Sequence, residues 1–94
     1  MNTGDITFRL ADDVRYRRVL DEAVAVRQET NEVIVINEVS ASILDFFEKQ
    51  GKATAASLIE YLASEYEVDS QVLKKDTPTH LEDLLAAGLI ISDE

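Results

Sequence analysis

Val33-Ile34-Val35-Ile36-Asn37-Glu38-Val39-Ser40-Ala41-Ser42-Ile43 is the stretch that decides the fold, because a strand pattern changes into a helix pattern within it. Four consecutive β-branched residues, 33–36, are typical of a strand. Asn37 is a favoured N-cap residue, and the apolar residues after it recur at helical spacing: Val39, Ile43, Phe46 and Phe47. The sequence therefore predicts a strand that leads directly into a helix.

Upstream of this junction the pattern predicts an antiparallel sheet. Residues 23–27 form a second strand candidate, and the polar link before Val33 contains Asn31, which tolerates a left-handed turn conformation. The two runs and their short link are typical of a β-hairpin. Alternating apolar residues between Ile6 and Leu20 predict one or two further short strands.

Downstream of the junction the sequence predicts three helices. Their boundaries are marked by Gly51 ending the first, Thr54 capping the second, Asp69 or Ser70 opening the third, and Gly88 ending it. Residues 89–91 are expected to return as a short extended segment against the core. The expected class is α+β, with a two- or three-stranded N-terminal sheet followed by three helices.

Pro78 lies inside the third predicted helix. Proline removes one backbone hydrogen bond and clashes with the preceding turn, which costs about 3 kcal/mol. We therefore expect a kink or a break between Lys75 and Thr79.

Composition excludes several classes of function. The chain has 94 residues, which is enough for one domain over 1–94, with residues 1–5 expected to be disordered. Because it contains no cysteine and one histidine, His80, thiol catalysis, disulfides and Cys- or His-rich metal sites are excluded. No cofactor is implied. The absence of a long apolar run or a signal-peptide pattern predicts a cytoplasmic location.

Charge argues against nucleic-acid binding. The net charge is −10, and residues 31–94 combine four lysines with thirteen acidic residues. A winged-helix DNA reader needs basic residues on the helices that meet phosphate, and here those helices are the acidic part.

The strand at 33–36 is unusual if it lies at the edge of a small sheet. It is apolar on both faces and carries no lysine or proline, although soluble proteins normally protect such edges. One reading is that it accepts an extended peptide by β-augmentation. The other is that helices cover both faces and the N-terminal segment pairs with the edge. Residue patterns alone leave both readings open.

One ordered set of residues runs through the predicted elements: Ile36, Asn37, Ala41 and Ile43 at the junction, Leu58, Ile59, Leu62 and Tyr66 in the second helix, Asp76, and then Leu81, Leu84, Leu85, Gly88, Leu89 and Ile90. This set resembles the pattern of the PqqD-like family, the small peptide-recognition proteins of pyrroloquinoline quinone biosynthesis and of other ribosomally made, modified peptides. The likeness covers residues 14–91, and Pro78 departs from the family pattern.

The resemblance implies a winged helix-turn-helix that binds the leader segment of a precursor peptide between the third strand and the third helix. It implies presentation of that peptide to a modifying enzyme, such as a radical S-adenosylmethionine enzyme, without catalysis by the protein itself. On the third helix, Asp76, His80 and Asp83 share one face and could select basic peptides, although a solvated stripe has the same pattern. His80 lacks the partners that catalysis requires.

Together these arguments nominate the following peptide-binding residues: Val33, Ile34, Val35, Ile36, Asn37, Leu73, Asp76, Thr77, His80 and Asp83. The alternatives are a winged-helix DNA-binding or regulatory domain, and a homodimer in which the same apolar edge pairs with its counterpart.

Overall fold

A computed structural model describes residues 6–93 and confirms the α+β class, with strands before three helices; residues 1–5, expected to be disordered, lie outside this range. The strands are β1 (Thr7–Leu10), β2 (Val14–Val19), β3 (Glu22–Arg27), β4 (Glu32–Ile36), β5 (Lys52–Thr54) and β6 (Ile90–Asp93). The helices are α1 (Glu38–Gln50), α2 (Ala55–Tyr66) and α3 (Ser70–Ala86).

The strands form two sheets rather than the single sheet expected. One sheet has the order β2-β3-β4, and the other has the order β5-β1-β6. Phe8 of β1 lies opposite Ala53 of β5 and Ser92 of β6, so β1 is paired on both sides. The sequence did not predict β5, because three residues are too few to show an alternating pattern.

The sheet β2-β3-β4 packs one face onto the core. Antiparallel register places Tyr16, Ala25 and Ile34 side by side, and Ala23 opposite Ile36. Ala23 and Ala25 are fully buried, which lets α1 approach the sheet closely. The core itself is built from α1, α2, α3 and this face of the sheet, together with Leu89 and Ile90 at the start of β6.

The predicted junction between β4 and α1 is confirmed. Asn37 caps α1, because the backbone N–H of Ser40 donates to Asn37 Oδ1 at 2.9 Å. Upstream, Asn31 has the expected left-handed conformation, with φ of 62°, in the hairpin that joins β3 to β4. The start of α1 and the end of β4 are therefore fixed to each other.

The other predicted helix ends are also confirmed. Thr54 caps α2, Asp69 caps α3, and the backbone N–H of Gly51 donates to the carbonyl of Phe47 after α1. At the end of α3 the N–H of Leu89 donates to Leu84 O and that of Gly88 donates to Leu85 O, both at 3.0 Å. This pair of bonds defines a Schellman motif.

Of the kink or break expected at Pro78, the break is wrong, because α3 continues from Ser70 to Ala86; the kink stays a prediction. Packing on both sides of the proline accounts for the difference. Thr77, Leu81 and Leu84 are buried, and fully burying one large aliphatic side chain contributes about 1.5–3 kcal/mol. The combined burial therefore offsets the roughly 3 kcal/mol cost of one proline.

Candidate functional site

The edge of β4 is the first element of the candidate site. β4 pairs with β3 on one side and, among residues 6–93, with no strand on the other. The described part of the N-terminal segment, which was the alternative partner for this edge, does not pair with it, because β1 joins the sheet β5-β1-β6. A row of backbone N–H and C=O groups on β4 is thus left for another strand.

The side chains of β4 divide between two faces. Ile36 is buried and Ile34 is half-buried on the core face, whereas Val33 and Val35 are 66% and 63% exposed. The register places Val33 opposite Val26 and Val35 opposite Val24, so these four residues form an outer valine strip. One face of β4 is therefore covered by the core, and the other remains open.

On β2 the outer valine strip ends at two arginines. Arg15 lies opposite Val26, and Arg17 lies opposite Val24. Both arginines are exposed, so the outer face of the sheet changes from apolar at β4 to cationic at β2.

The core-facing side of α3 is the one that the sequence predicts. Leu81 and Leu84 are buried, and Leu73 and Leu85 pack against the core. Thr77 was nominated as a peptide contact, but its side chain is fully buried among these residues. Because helical spacing places it on the core face, Thr77 supports the helix from within and does not present its side chain at the surface.

The two flanks of α3 differ in their surroundings. Pro78, Glu82 and Leu85 lie toward β1, where they line an apolar cavity of about 390 Å³ together with Ile6, Phe8, Ala55 and Leu81. The opposite flank carries Asp76, His80 and Asp83, of which the two aspartates are exposed and the histidine is half-buried. Among residues 6–93 neither aspartate forms an ion pair, so both carboxylates remain available.

Asn37 also belongs to the nominated set. Its side-chain oxygen already accepts the Ser40 N–H, which makes its first role the helix cap. A peptide at the β4 edge would meet Asn37 at the end of β4, where the protein backbone leaves the strand and enters α1.

A cluster around Arg27 was not predicted. Arg27 pairs with Glu32 of β4 at 3.2 Å and with Asp13 at 3.8 Å, and its guanidinium lies against Gly88. Arg27 and Glu32 face each other across the β3–β4 hairpin, whereas Asp13 and Gly88 come from other parts of the chain. Since no spacing rule relates Asp13 and Gly88 to the hairpin, a single sequence gives no signal for this cluster.

A second unpredicted cluster holds β2 onto the helices. The hydroxyl of Tyr16 donates to Asp45 Oδ1 at 2.6 Å, and Arg18 Nε donates to Asp45 Oδ2 at 2.8 Å. Arg18 also donates to the hydroxyl of Ser42, which hydrogen-bonds with that of Tyr66. Burial, and then the neighbouring Asp45 carboxylate, raise the pKa of Tyr16 well above its ordinary value of 10.0.

Neither a candidate metal site nor a candidate membrane-spanning helix occurs among residues 6–93. Residues 6–93 contain no group of three His, Cys, Asp or Glu side chains able to hold a metal ion. None of the helices in this range has the length and apolarity needed to cross a membrane.

Comparisons with known proteins agree with this geometry. The family model described as coenzyme PQQ synthesis protein D (PqqD) matches residues 22–90. A search of curated proteins finds no match. One similar solved structure is TbiB1 in complex with the TbiA(beta) leader peptide, with a TM-score of 0.75 and 21% identity over 87% of this chain and 93% of that chain. Another is lasso peptide synthetase B1 complexed with the leader peptide, with a TM-score of 0.72 and 21% identity over 89% of this chain and 96% of that chain.

Proposed function

Because the chain belongs to the PqqD family, we propose that it recognises the leader segment of a ribosomally made precursor peptide and presents it to a modifying enzyme. The peptide binds as an added antiparallel strand on the free edge of β4. The protein itself carries out no chemistry in this proposal.

The single observation that carries the proposal is the unpaired edge of β4. The strand has five residues, of which the last four are apolar and β-branched. Within residues 6–93 no strand pairs with the outer backbone groups of β4. Backbone hydrogen bonds along such an edge provide affinity, and side-chain pockets provide selectivity. Val33 and Val35 would contact the outward side chains of the peptide, and Ile34 and Ile36 would adjoin the inward ones.

The similar solved structures support the same proposal. Both TbiB1 and lasso peptide synthetase B1 were solved with a leader peptide bound. Their likeness to this chain lies in the fold, and the exposed edge of β4 is the feature of this chain that fits such a ligand.

We propose α3 as the opposite wall of the groove. The Arg27–Gly88 contact places the first residue of β4 close to the end of α3, because Arg27 lies opposite Glu32. Five strand residues extend about 17 Å, which equals about eleven residues of helix. Counted back from Gly88, that length reaches to about residue 77. In the proposed groove α3 runs antiparallel to β4 from this end, which would place Asp83 and His80 beside the strand and Asp76 at its far end.

Charge suggests what kind of leader segment fits. Asp76 and Asp83 are exposed and free of ion pairs within residues 6–93, and no basic side chain occurs on β4. Complementary charge favours a peptide with apolar residues in alternation and a basic residue toward α3.

The finer identity of the partners is also a proposal. A modifying enzyme, such as a radical S-adenosylmethionine enzyme, would receive the peptide in the cytoplasm. No observation favours the DNA-binding alternative, and a net charge of −10 opposes it. Pairing of two β4 edges in a homodimer would occupy the same site, so it competes with peptide binding and should decrease when peptide is added.

An amide-resolved NMR titration tests the proposal. The probe is the leader segment of the precursor peptide encoded nearest to this protein, and a leader with alternate residues replaced by proline is the matched control. We expect shifts at residues 33–37 and along 76–83, with β1 and β5 unchanged, and no shifts with the control peptide.

The enzyme encoded alongside provides the second arm of this experiment. If millimolar leader produces no shift at β4, either alone or with that enzyme present, the recognition function is wrong. Concentration-dependent sedimentation would then test the homodimer.

A further inference from the structure

Gly88 lies where α3 ends, and the guanidinium of Arg27 occupies the space that a side chain would need there. A Cβ atom added to Gly88 would lie 2.6 Å from Cζ, 2.7 Å from Nη1 and 2.9 Å from Nε of Arg27. Real Cβ atoms essentially never approach other heavy atoms so closely. The guanidinium of Arg27 can therefore occupy this place only because residue 88 has no side chain.

Arg27 in turn joins three parts of the sheet β2-β3-β4 and its turns. It is the last residue of β3, and it pairs with Glu32, the first residue of β4. It also pairs with Asp13, whose backbone and side-chain oxygens accept the N–H groups of Gln28 and Glu29. The guanidinium thus lies between the turn that precedes β4 and the end of α3.

We propose that Arg27 and Gly88 act as a positioning pair that sets the distance between the start of β4 and the end of α3. This distance is the width of one end of the peptide groove, so the inference rests on the proposed function. Neither residue needs to contact the peptide. If the guanidinium is displaced, Glu32 loses its partner and the first residues of β4 are free to shift relative to α3.

The chain contains a control for the positive φ of Gly88. Gly51 has φ of +83°, close to the +76° of Gly88, but a Cβ atom at position 51 would meet nothing within 4 Å. Gly51→Ala therefore measures the strain of an alanine at positive φ that has no close neighbour. Gly88→Ala combines a positive φ with the displacement of Arg27.

The experiment compares Gly88→Ala with Gly51→Ala in the full chain. We expect both to lower the melting temperature, and Gly88→Ala to lower it further because it also displaces Arg27. Only Gly88→Ala should shift the amide resonances of residues 32–36, and it should weaken binding of the leader-segment probe about tenfold, which lies within the range of coupling between contacting residues.

The double variant Arg27→Ala with Gly88→Ala distinguishes a positioning role of Gly88 from a general loss of stability. In the Arg27→Ala background the guanidinium is absent, so adding Gly88→Ala should produce no further loss of affinity and no further shift in β4. A purely structural role for Gly88 predicts instead that the two losses of affinity add. Arg27→Ala alone also covers the case in which Gly88→Ala does not fold.

Two results would overturn the inference. One is equal leader affinity in Gly88→Ala and Gly51→Ala, and the other is a set of amide shifts confined to residues 86–89. If the wild-type protein binds no leader, the proposed function fails separately. The β4 amide shifts then decide the positioning role without any peptide.

Discussion

β2 and β4 are the two edge strands of one sheet, yet their side chains differ in charge and polarity. β2 carries Arg15, Arg17 and Arg18 among its six residues, whereas β4 has four apolar residues after Glu32. Charged side chains on an edge discourage pairing with other strands, and an apolar edge permits it. The sheet thus has one protected edge and one receptive edge.

The two edges also differ in how the rest of the molecule holds them. Tyr16 and Arg18 tie β2 to Asp45 of α1 through charged hydrogen bonds. β4 is held at its ends, by the Arg27–Glu32 pair at its start and by the Asn37 cap where it enters α1. Because β3 pairs with only one side of β4 and these two anchors lie at its ends, the other side keeps its backbone accessible while the strand remains in place.

Proline substitution should separate the two edges most sharply. Successive N–H groups of a strand point to opposite sides. One of the two variants Ile34→Pro and Val35→Pro therefore removes a donor from the free edge, and the other breaks pairing with β3. We expect the variant that keeps its fold to lose leader affinity at least about 100-fold, because several aligned backbone bonds depend on that edge. Calorimetry gives the affinity, and circular dichroism identifies the folded variant.

Arg17→Pro and Arg18→Pro on β2 are the matched controls, because these successive residues also direct their N–H groups to opposite sides of the strand. The member of that pair that keeps its fold should bind the leader as the wild type does. Wild-type affinity in the folded β4 variant would show that the peptide docks elsewhere.

Tyr16→Phe should have the next largest effect, and on stability rather than on binding. It removes the hydroxyl that donates to Asp45 at 2.6 Å. A hydrogen bond to a charged acceptor contributes about 1.5–3 kcal/mol, and partial exposure puts the expected loss in unfolding free energy near the lower value. Urea denaturation measures this loss. A change of more than about threefold in leader affinity would mean that β2 also shapes the binding site.

Alkaline pH should lower the unfolding free energy through Tyr16 of β2. Because burial and Asp45 raise the pKa of Tyr16, the folded state retains the phenol proton above pH 10, where the unfolded chain releases it. The unfolding free energy should therefore be complete below pH 10 and fall above it, by at most about 1.4 kcal/mol per pH unit for this one group.

Tyr16→Phe provides the comparison for this pH dependence. The slope above pH 10 should become shallower in the variant, although burial also raises the pKa of Tyr61, which leaves a residual slope. Identical slopes in the two proteins would show that Tyr16 ionises as freely in the folded state as in the unfolded chain.

The strand β4 and the Asn37 cap that follows it could be predicted from sequence, but the Arg27 anchor at its start could not. Val33 to Asn37 shows both a strand signal and a cap signal within five residues, and the structure confirms both. The contact of Arg27 with Gly88 joins residues 61 positions apart in the sequence, and no local pattern reports it.

Pro78 shows the opposite limit of sequence reasoning. A local rule predicts a break in α3, but tertiary burial of Thr77 and Leu81 overrides it. Local signals thus locate elements reliably where the chain itself supplies the hydrogen bonds, as at caps. They fail where packing from distant segments supplies the free energy.

The smallest predicted effect concerns selection by α3. Asp76→Asn and Asp83→Asn each remove one exposed carboxylate on the flank of α3 assigned to the groove, and Glu82→Gln removes one on the flank toward β1. Exposed ion pairs contribute about 0.2–1 kcal/mol, so each aspartate variant should weaken a leader with basic residues by about 1.5- to 5-fold. The effect should diminish at 1 M salt, where the Debye length is about 3 Å, and Glu82→Gln should change nothing. Equal losses from all three variants would mean that net charge, rather than the flank of α3 beside β4, attracts the peptide.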